Sequence, residues 1–542
     1  MKKSRILAIL LCLVMLFAIV ACNKDDGGGS QDAGSPQATD AGGTPGGGDA
    51  PGGGAGSGRD TLSIAVAADS GSLDAVTMVV PTFAAVCCIQ EPLWDVTEAN
   101  EVIMLLAESV DIVAPDEWII HLRQGVTFSN GNPFTSEDVI FSLGLHLAAG
   151  ATGGPRVQTI DPEGTKAIDE HTVDLKLWDY HVANWTVLSQ FMIYDHASYE
   201  PEQASLRPIG TGPYVLTEYV PNSYINLERR EDYWGTKPEI KYLNFRILAE
   251  TSQVVNALET GMIDIGPLAT QDVDYVKTMP GFNVDARLTG NYILLGFNFG
   301  QNSFFYQNLD ARRAVCHAID PQVIINLVYE GKGEIMHAAV PDICFDYEDR
   351  FNDMDETYAV GYNPDVAKQY ADASGLTGQT ISCITDGSPA AVQMAEIAQN
   401  MLGAIGVTVS IQNYDPATVW GMLYDPTAVY DMSIGAGIAP NRRVGDLLVN
   451  GVRFSPTMSA PGGFENNQYY LEVCPLTLST ENDARRSDYL AEVLGMYEGN
   501  VLTFALCNVI YSNAFSNAID PASIVYTIGT GFVRAVDLKF AP

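Results

Sequence analysis

Apolar and polar positions alternate over residues 60–68, where Leu62, Ile64 and Val66 share one face, the two-residue period of a strand. The same alternation predicts strands over 118–122, 172–177 and 224–227, and a short apolar run predicts another over 126–128. Asn130-Gly131, followed by Pro133, reads as a tight turn after that last strand. Thr135 with Asp138 three positions on reads as a capping box, and Val139, Leu143 and Leu147 carry the helix forward. In the second half of the chain helices and strands alternate. Asp320-Pro321 and Asn363-Pro364 each place a capping side chain before a proline at the first helical position. Gly331 closes the first of these helices. Met394, Ile397, Ala398, Met401, Leu402 and Ile405 fall on one helical face, Gly406 stops that helix, and Val407, Val409 and Ile411 start the next strand. A helix follows over 483–498. No repeat of solenoid period occurs, and the whole is mixed α/β.

The N-terminus departs from this pattern. Lys2, Lys3 and Arg5 precede an uncharged apolar run over 6–21, too short to span a membrane comfortably and suited to a signal segment. It ends in Ile19-Val20-Ala21-Cys22, which resembles the lipobox of bacterial lipoproteins; the resemblance implies cleavage after residue 21 and a diacylglycerol on Cys22. Residues 26–58 contain 14 glycines and no Leu, Ile, Val or aromatic residue. Nothing there can offset ordering entropy, so the segment is expected to be a tether with a reach of roughly 30 Å.

Composition narrows the function. The 542 residues are 47% hydrophobic, enough for more than one core. With 66 Asp+Glu against 29 Lys+Arg the net charge is −37, which excludes phosphate neutralisation as the main business of the surface and so excludes nucleic-acid binding. Of nine cysteines, Cys12 leaves with the signal and Cys22 takes lipid; the odd remainder, Cys87, Cys88, Cys316, Cys344, Cys383, Cys474 and Cys507, reads as buried free thiols. No zinc spacing, phosphate loop or nucleophile elbow is present. Gly210-Thr211-Gly212-Pro213 and Gly435-Ala436-Gly437 lack the third glycine of a dinucleotide turn and read as tight turns. His317 reads as a core or helix-surface histidine. No catalytic residue, metal ligand or cofactor is assigned.

An ordered set of motifs resembles the family 5 extracellular solute-binding proteins, the peptide/nickel-type receptors of ABC importers. Residues 106–109, 121–131 and 134–143 follow that family's stretch from its strand through the turn to the capped helix. Ile209-Gly210-Thr211-Gly212-Pro213-Tyr214 matches its GTGPY turn, and Arg229 to Gly235 its aromatic Tyr-Trp segment. Gly261 to Asp264, Phe297-Asn298, Ala311 to Ala314, Ala318 to Asp320 and Tyr362 to Lys368 complete the set over roughly residues 60–540. The resemblance implies a two-lobed periplasmic-binding-protein-like fold of type II, with an extra subdomain in lobe I and hinge crossovers. It implies a signal peptide over 1–21, lipidated cysteine and tether over 22–59, lobe I over 60–290, lobe II over 291–504 and a return to lobe I over 505–542. The crossovers fall at 291–298 and 502–506.

By the same resemblance the cleft walls are Met78, Val79, Val80, Gly266, Pro267, Leu268, Tyr292, Gly437, Ile438, Ala439, Asn441, Arg442, Arg443 and Asn508. Peptide-binding members place an acid after the strand that here runs from Tyr430 to Ile434, to pair with the ligand's ammonium. Here no acid occurs between Asp431 and Asp446, and two arginines do. The expected function is a monomeric, lipid-anchored, extracytoplasmic receptor delivering a small solute or peptide, neutral or anionic, to a permease and ATPase. A tethered hydrolase, or a sensor or adhesin on the same fold, are the alternatives.

Overall fold

The computed structural model describes residues 59–77, 83–150, 154–358, 360–425, 427–439, 441–454, 464–526, 528 and 533–542. The expected signal segment, Cys22, the tether and Met78, Val79 and Val80 lie outside them.

Among the described residues, seventeen strands form three sheets. A hairpin pairs β2 (Trp94–Val96) with β3 (Val102–Met104). A four-stranded antiparallel sheet takes β4 (Ala107–Ala114), β5 (Glu117–Leu122), β7 (Thr172–Lys176) and β6 (Lys166–Asp169) in that spatial order. The principal sheet is built from β1 (Thr61–Val66), β8 (Tyr214–Val220), β9 (Tyr224–Arg229), β10 (Tyr242–Ile247), β11 (Ile265–Leu268), β12 (Phe282–Phe297), β13 (Gly333–Ile335), β14 (Thr380–Thr385), β15 (Thr408–Asn413), β16 (Met432–Ile438) and β17 (Thr503–Ser516). Its order is β15-β14-β16-β12-β17-β11-β1-β10-β9-β8, with β13 on the flank of β17.

Two long strands make this sheet a spine. β12 and β17 are antiparallel along nearly their whole length. At one end β12 also pairs with β16, and β17 with β13; at the other end β17 pairs with β11 instead. The hydrophobic cores divide at the same place. One cluster runs from Ile293 to Cys507 and draws on nothing outside that stretch. The buried residues of the clusters on the other side run from Leu62 to Val276 and from Ala514 to Leu538. The chain therefore makes a first body, leaves through β12, builds a second body, and returns through β17.

The ladder breaks where the bodies meet. Its register shifts between Leu288 and Tyr292, leaving Thr289, Gly290 and Asn291 as an irregularity, and again between Ile293 and Leu294. Gly290 is required there: its carbonyl accepts the Ala439 N–H at 2.7 Å, and a β-carbon on it would lie 2.8 Å from the Ala439 carbonyl oxygen. Such bulges bend a strand and release local pairing.

Local signals act as expected at most helix starts. We label α1 (Ser136–Ala148), α2 (Leu309–Ala318), α3 (Pro321–Val328), α4 (Pro364–Ser374), α5 (Pro389–Ala404), α6 (Val444–Phe454) and α7 (Asp483–Gly499). The Thr135 N–H donates to the Asp138 carboxylate at 2.8 Å, and Asp320 and Asn363 accept from Gln322 and Val366. Two expectations fail. Residues 126–128 form only an isolated bridge from Thr127 to Pro133, because the chain turns at once through Gly131. Gly435-Ala436-Gly437 is no turn but the middle of β16; its glycine serves packing, since a β-carbon on Gly437 would lie 2.6 Å from the Tyr292 ring. Gly210 and Gly212 serve close approach as well. A β-carbon on Gly210 would overlap the Ile89 carbonyl oxygen, and one on Gly212 would lie 2.6 Å from that of Cys88. Arg230, buried beside them, donates to the carbonyls of Thr127, Phe128, Gly210, Thr211 and Gly212.

All seven cysteines in the described residues are free, and all but Cys87 are buried. His317 is buried, bonded through Nδ1 to the Gly361 carbonyl and stacked on Tyr370.

Candidate functional site

The bulge in the spine gathers most of the residues expected at the cleft. Tyr292 on β12 lies between Gly437 on β16 and Asn508 on β17, its register partners on either side. Its ring packs with Met336 and Ala505. Ile438 pairs with Asn291 one step along, and Ala439 is tied to Gly290. Asn441 is buried and donates to the Asp446 carboxylate at 2.9 Å. Gly266, Pro267 and Leu268 form β11 against Ala514, Asn513 and Ser512, so they line the same strand β17 further into the first body.

The arginines are not a solvated loop. Arg442 is buried, 8% exposed, and held with φ at +46°, a left-handed conformation uncommon for its type. Its Nη2 donates to Glu98 Oε1 at 2.6 Å. Glu98 comes from the turn between β2 and β3, in the first body, and its other oxygen is taken by Arg287 of β12. Arg287 in turn covers the Tyr526 ring, and the Tyr526 hydroxyl bonds Asp285. Arg443 is half-buried over the Phe345 ring. The carboxylate nearest that pair, Asp346, accepts the Val444 N–H at 2.7 Å, and burial pushes its carboxyl above the usual range. Arg287 and Glu98 escape sequence reasoning: neither belongs to a motif, and only the β12 register and the hairpin turn bring them in.

Several buried polar atoms here have no hydrogen-bond partner in the protein: Nε of Arg442, Nε of Arg443, Nη2 of Arg287 and Oδ1 of Asn508. The Asn508 amide nitrogen is engaged, donating to Asp342 at 3.3 Å. A buried donor without an acceptor costs about 1–3 kcal/mol, so this set of guanidinium N–H groups favours a molecule carrying carbonyl or carboxylate oxygens.

A well-formed cavity lies elsewhere. It measures about 640 Å³, lies within the first body among Phe83, Met104, Trp234, Pro238 and Val533, and is lined by none of the expected residues. At its wall Glu91 is buried and accepts from the Tyr233 hydroxyl at 2.6 Å and the Trp234 indole at 3.1 Å. That pairing ties two segments of the first body together; it brings no group from the second, so the spine carries the functional reading. A further cluster, Asp138, Asp195 and His196, has its atoms close enough for a metal ion. Its oxygens are already used: Asp138 by Thr135 and His196, and Asp195 by Asn130, Asn132 and Ser198. It is a helix cap packed against a turn.

The family model described as bacterial extracellular solute-binding proteins, family 5 Middle, matches residues 101–445. The chain belongs to this family. An ABC transporter peptide-binding protein of Brucella ovis is 28% identical over 337 residues, 59% of this chain and 62% of the relative. The chain thus spans less than two thirds of the length of the curated relatives it matches first. Among solved structures, the periplasmic binding protein DppA of Helicobacter pylori in complex with peptide STSA superposes with a TM-score of 0.74 at 19% identity, covering 89% of this chain and 98% of that one. NikA of Brucella suis in complex with Fe(III)-EDTA gives 0.75 at 18% identity, covering 89% and 99%. The fold is that of the two-lobed periplasmic binding proteins. Among the described residues no helix is long and apolar enough to cross a membrane.

Proposed function

We propose that this protein is a lipid-anchored, extracytoplasmic solute-binding receptor that delivers a small solute or peptide to the permease and ATPase of an ABC importer, acting as a monomer without catalysis or cofactor. The observation that carries the reading is that Arg287 and Arg442, gathered on the single Glu98 carboxylate beside the bulged crossing of β12 and β17, and Arg443 next in the chain each keep a buried guanidinium N–H without a partner. Family membership and relatives named as peptide-binding proteins support it.

In this reading lobe I is 60–290 with 505–542, lobe II is 291–504, and Cys22 holds the lipid. The cleft is walled by Tyr292, Gly437, Ile438, Ala439, Asn441, Arg442, Arg443 and Asn508, with 266–268 of the first body; 78–80, expected there as well, lie outside the described residues. Of the nearby acids, Glu98 is held by two arginines, Asp446 by Asn441 and Asp342 by Asn508, while Asp346 accepts the Val444 N–H through Oδ1 and keeps its buried Oδ2 without a partner. Burial pushes the Asp346 carboxyl toward its neutral form, so a ligand ammonium buried there would lack a ready counter-charge, at several kcal/mol. A carboxylate or carbonyl oxygen meets guanidinium N–H groups, each charge-assisted bond contributing about 1.5–3 kcal/mol. The solute is therefore neutral or anionic, or a peptide with its amino end blocked.

Mass spectrometry of molecules that copurify with the protein, followed by a thermal-shift panel, tests this. N-acetylated peptides and small carboxylates should raise the melting temperature more than free-amino peptides of the same sequence. Strong stabilisation by ordinary di- to pentapeptides that vanishes on acetylation would overturn the solute assignment.

A further inference from the structure

We infer that Glu98 is an interlobe clasp: its carboxylate, carried on the β2–β3 turn of the first body, holds Arg442 of the second and biases the protein toward the closed form before any solute arrives. The assignment rests on the two-lobed fold and not on the identity of the solute.

Three observations place the clasp. The first is its span. Glu98 Oε1 accepts from Arg442 Nη2 at 2.6 Å across the two bodies, while Oε2 accepts from Arg287, on β12 on the first-body side of the bulge. One carboxylate thus bridges cations on either side of the flexible point, and opening the lobes strips it of Arg442 alone. The second is desolvation. The Arg442 and Glu98 side chains are 9% and 21% exposed, so the pair is shielded from salt far better than a surface pair. The third is backbone geometry. Arg442 keeps an unfavourable left-handed φ, and its carbonyl accepts the Phe345 N–H at 2.9 Å; Phe345 itself packs against the core cluster of the first body. The strained residue is therefore fixed in the position that reaches Glu98, and the ion pair and the Phe345 contact close the same gap. The Arg442 Nε is left for solute, so the clasp and the binding site share one guanidinium without competing for the same edge.

Closure has a reporter remote from Glu98. The Val182 N–H donates to the Leu478 carbonyl at 2.9 Å, joining first and second bodies by a separate contact. Hydrogen exchange at Val182 in the full-length protein, freed of copurified ligand, therefore reads lobe opening. Glu98→Gln should raise that exchange rate about tenfold, within the coupling range of contacting residues. Arg442→Asn, which suits a left-handed backbone, should do the same, and the double variant should do no more than either single change. Glu101→Gln, a charge loss on the same turn, should leave Val182 unchanged. Should Glu98→Gln fold poorly, Glu98→Asp, too short to reach both arginines, gives the same readout. Wild-type exchange at Val182 in the Glu98 variants overturns the clasp. So does an equal rise in Glu101→Gln, or additive effects of Glu98→Gln and Arg442→Asn.

Discussion

Glu498, near the end of α7, is a buried acid whose titration should reach the binding cleft. It is 5% exposed, and its carboxylate accepts the Ala339 N–H at 2.5 Å. Burial, reinforced by the charge of Asp355 and opposed by the Ala339 bond, pushes its pKa from 4.5 up to about 7. The folded state therefore binds this proton more tightly than the unfolded chain does. The stability it contributes is full below the unfolded value of 4.5 and is lost as pH rises through about 7. That span corresponds to about 3 kcal/mol at most. Glu498→Gln keeps the volume and the acceptor for Ala339 and removes the charge. In urea unfolding of the second body, the variant should match wild type near pH 4.5 and exceed it increasingly up to pH 8, by as much as about 3 kcal/mol. Other carboxylates titrate in both proteins and cancel in the difference. A difference that stays flat between pH 5 and 8 would refute the reasoning. The effect should extend to ligand. Ala339 lies on the segment that carries Met336, against Tyr292, and Asp342, against Asn508. Ionising Glu498 loads the anchor of that segment, so solute affinity should fall between pH 6 and 8 in wild type and stay level in Glu498→Gln.

Gly210→Ala should destabilise the first body by about 3 kcal/mol or more in chemical denaturation, because the overlapping atom is the backbone carbonyl of Ile89 and cannot swing aside. Arg230→Met should cost about 3 kcal/mol or more in the same assay by leaving several buried carbonyls without their donor. Gly437→Ala forces the Tyr292 ring out of its place and should shrink the solute-induced thermal shift while lowering the ligand-free melting temperature only slightly. Under the proposed lipid anchoring, Cys22→Ala should leave the protein unprocessed or shed from the membrane fraction.

The sequence made the fold legible wherever a local rule met a tertiary need. Asp320, Asn363 and Thr135 cap helices that also present an apolar face, so propensity and packing agree, and the helix face from Met394 to Leu402 is buried along α5 as its spacing predicts. Glycine was the residue read least well. Gly435-Ala436-Gly437 looks like a turn because small residues usually mark one, yet the chain there is extended, and its glycine makes room for an aromatic ring contributed from another strand. Nothing local encodes that ring.

The site divides along the same line. Tyr292, Gly437 and Asn508, expected at the cleft by resemblance, do meet in the sheet, where Tyr292 is the register partner of both. What those residues meet could not be read from the sequence. Arg442 in the sequence is a charge in a polar stretch, free in principle to take a ligand carboxylate. Its occupation is decided by Glu98, 344 positions earlier, through a hairpin turn whose reach depends on how the two bodies are packed. The difference matters chemically. A free arginine would select strongly for an anion. An arginine whose Nη2 is already held by Glu98 and whose buried Nε has no partner offers a directed N–H there and selects for an oxygen acceptor whether or not it is charged. The charge preference of the cleft is thus set less by the arginines that the sequence displays than by the carboxylate that closure brings to them.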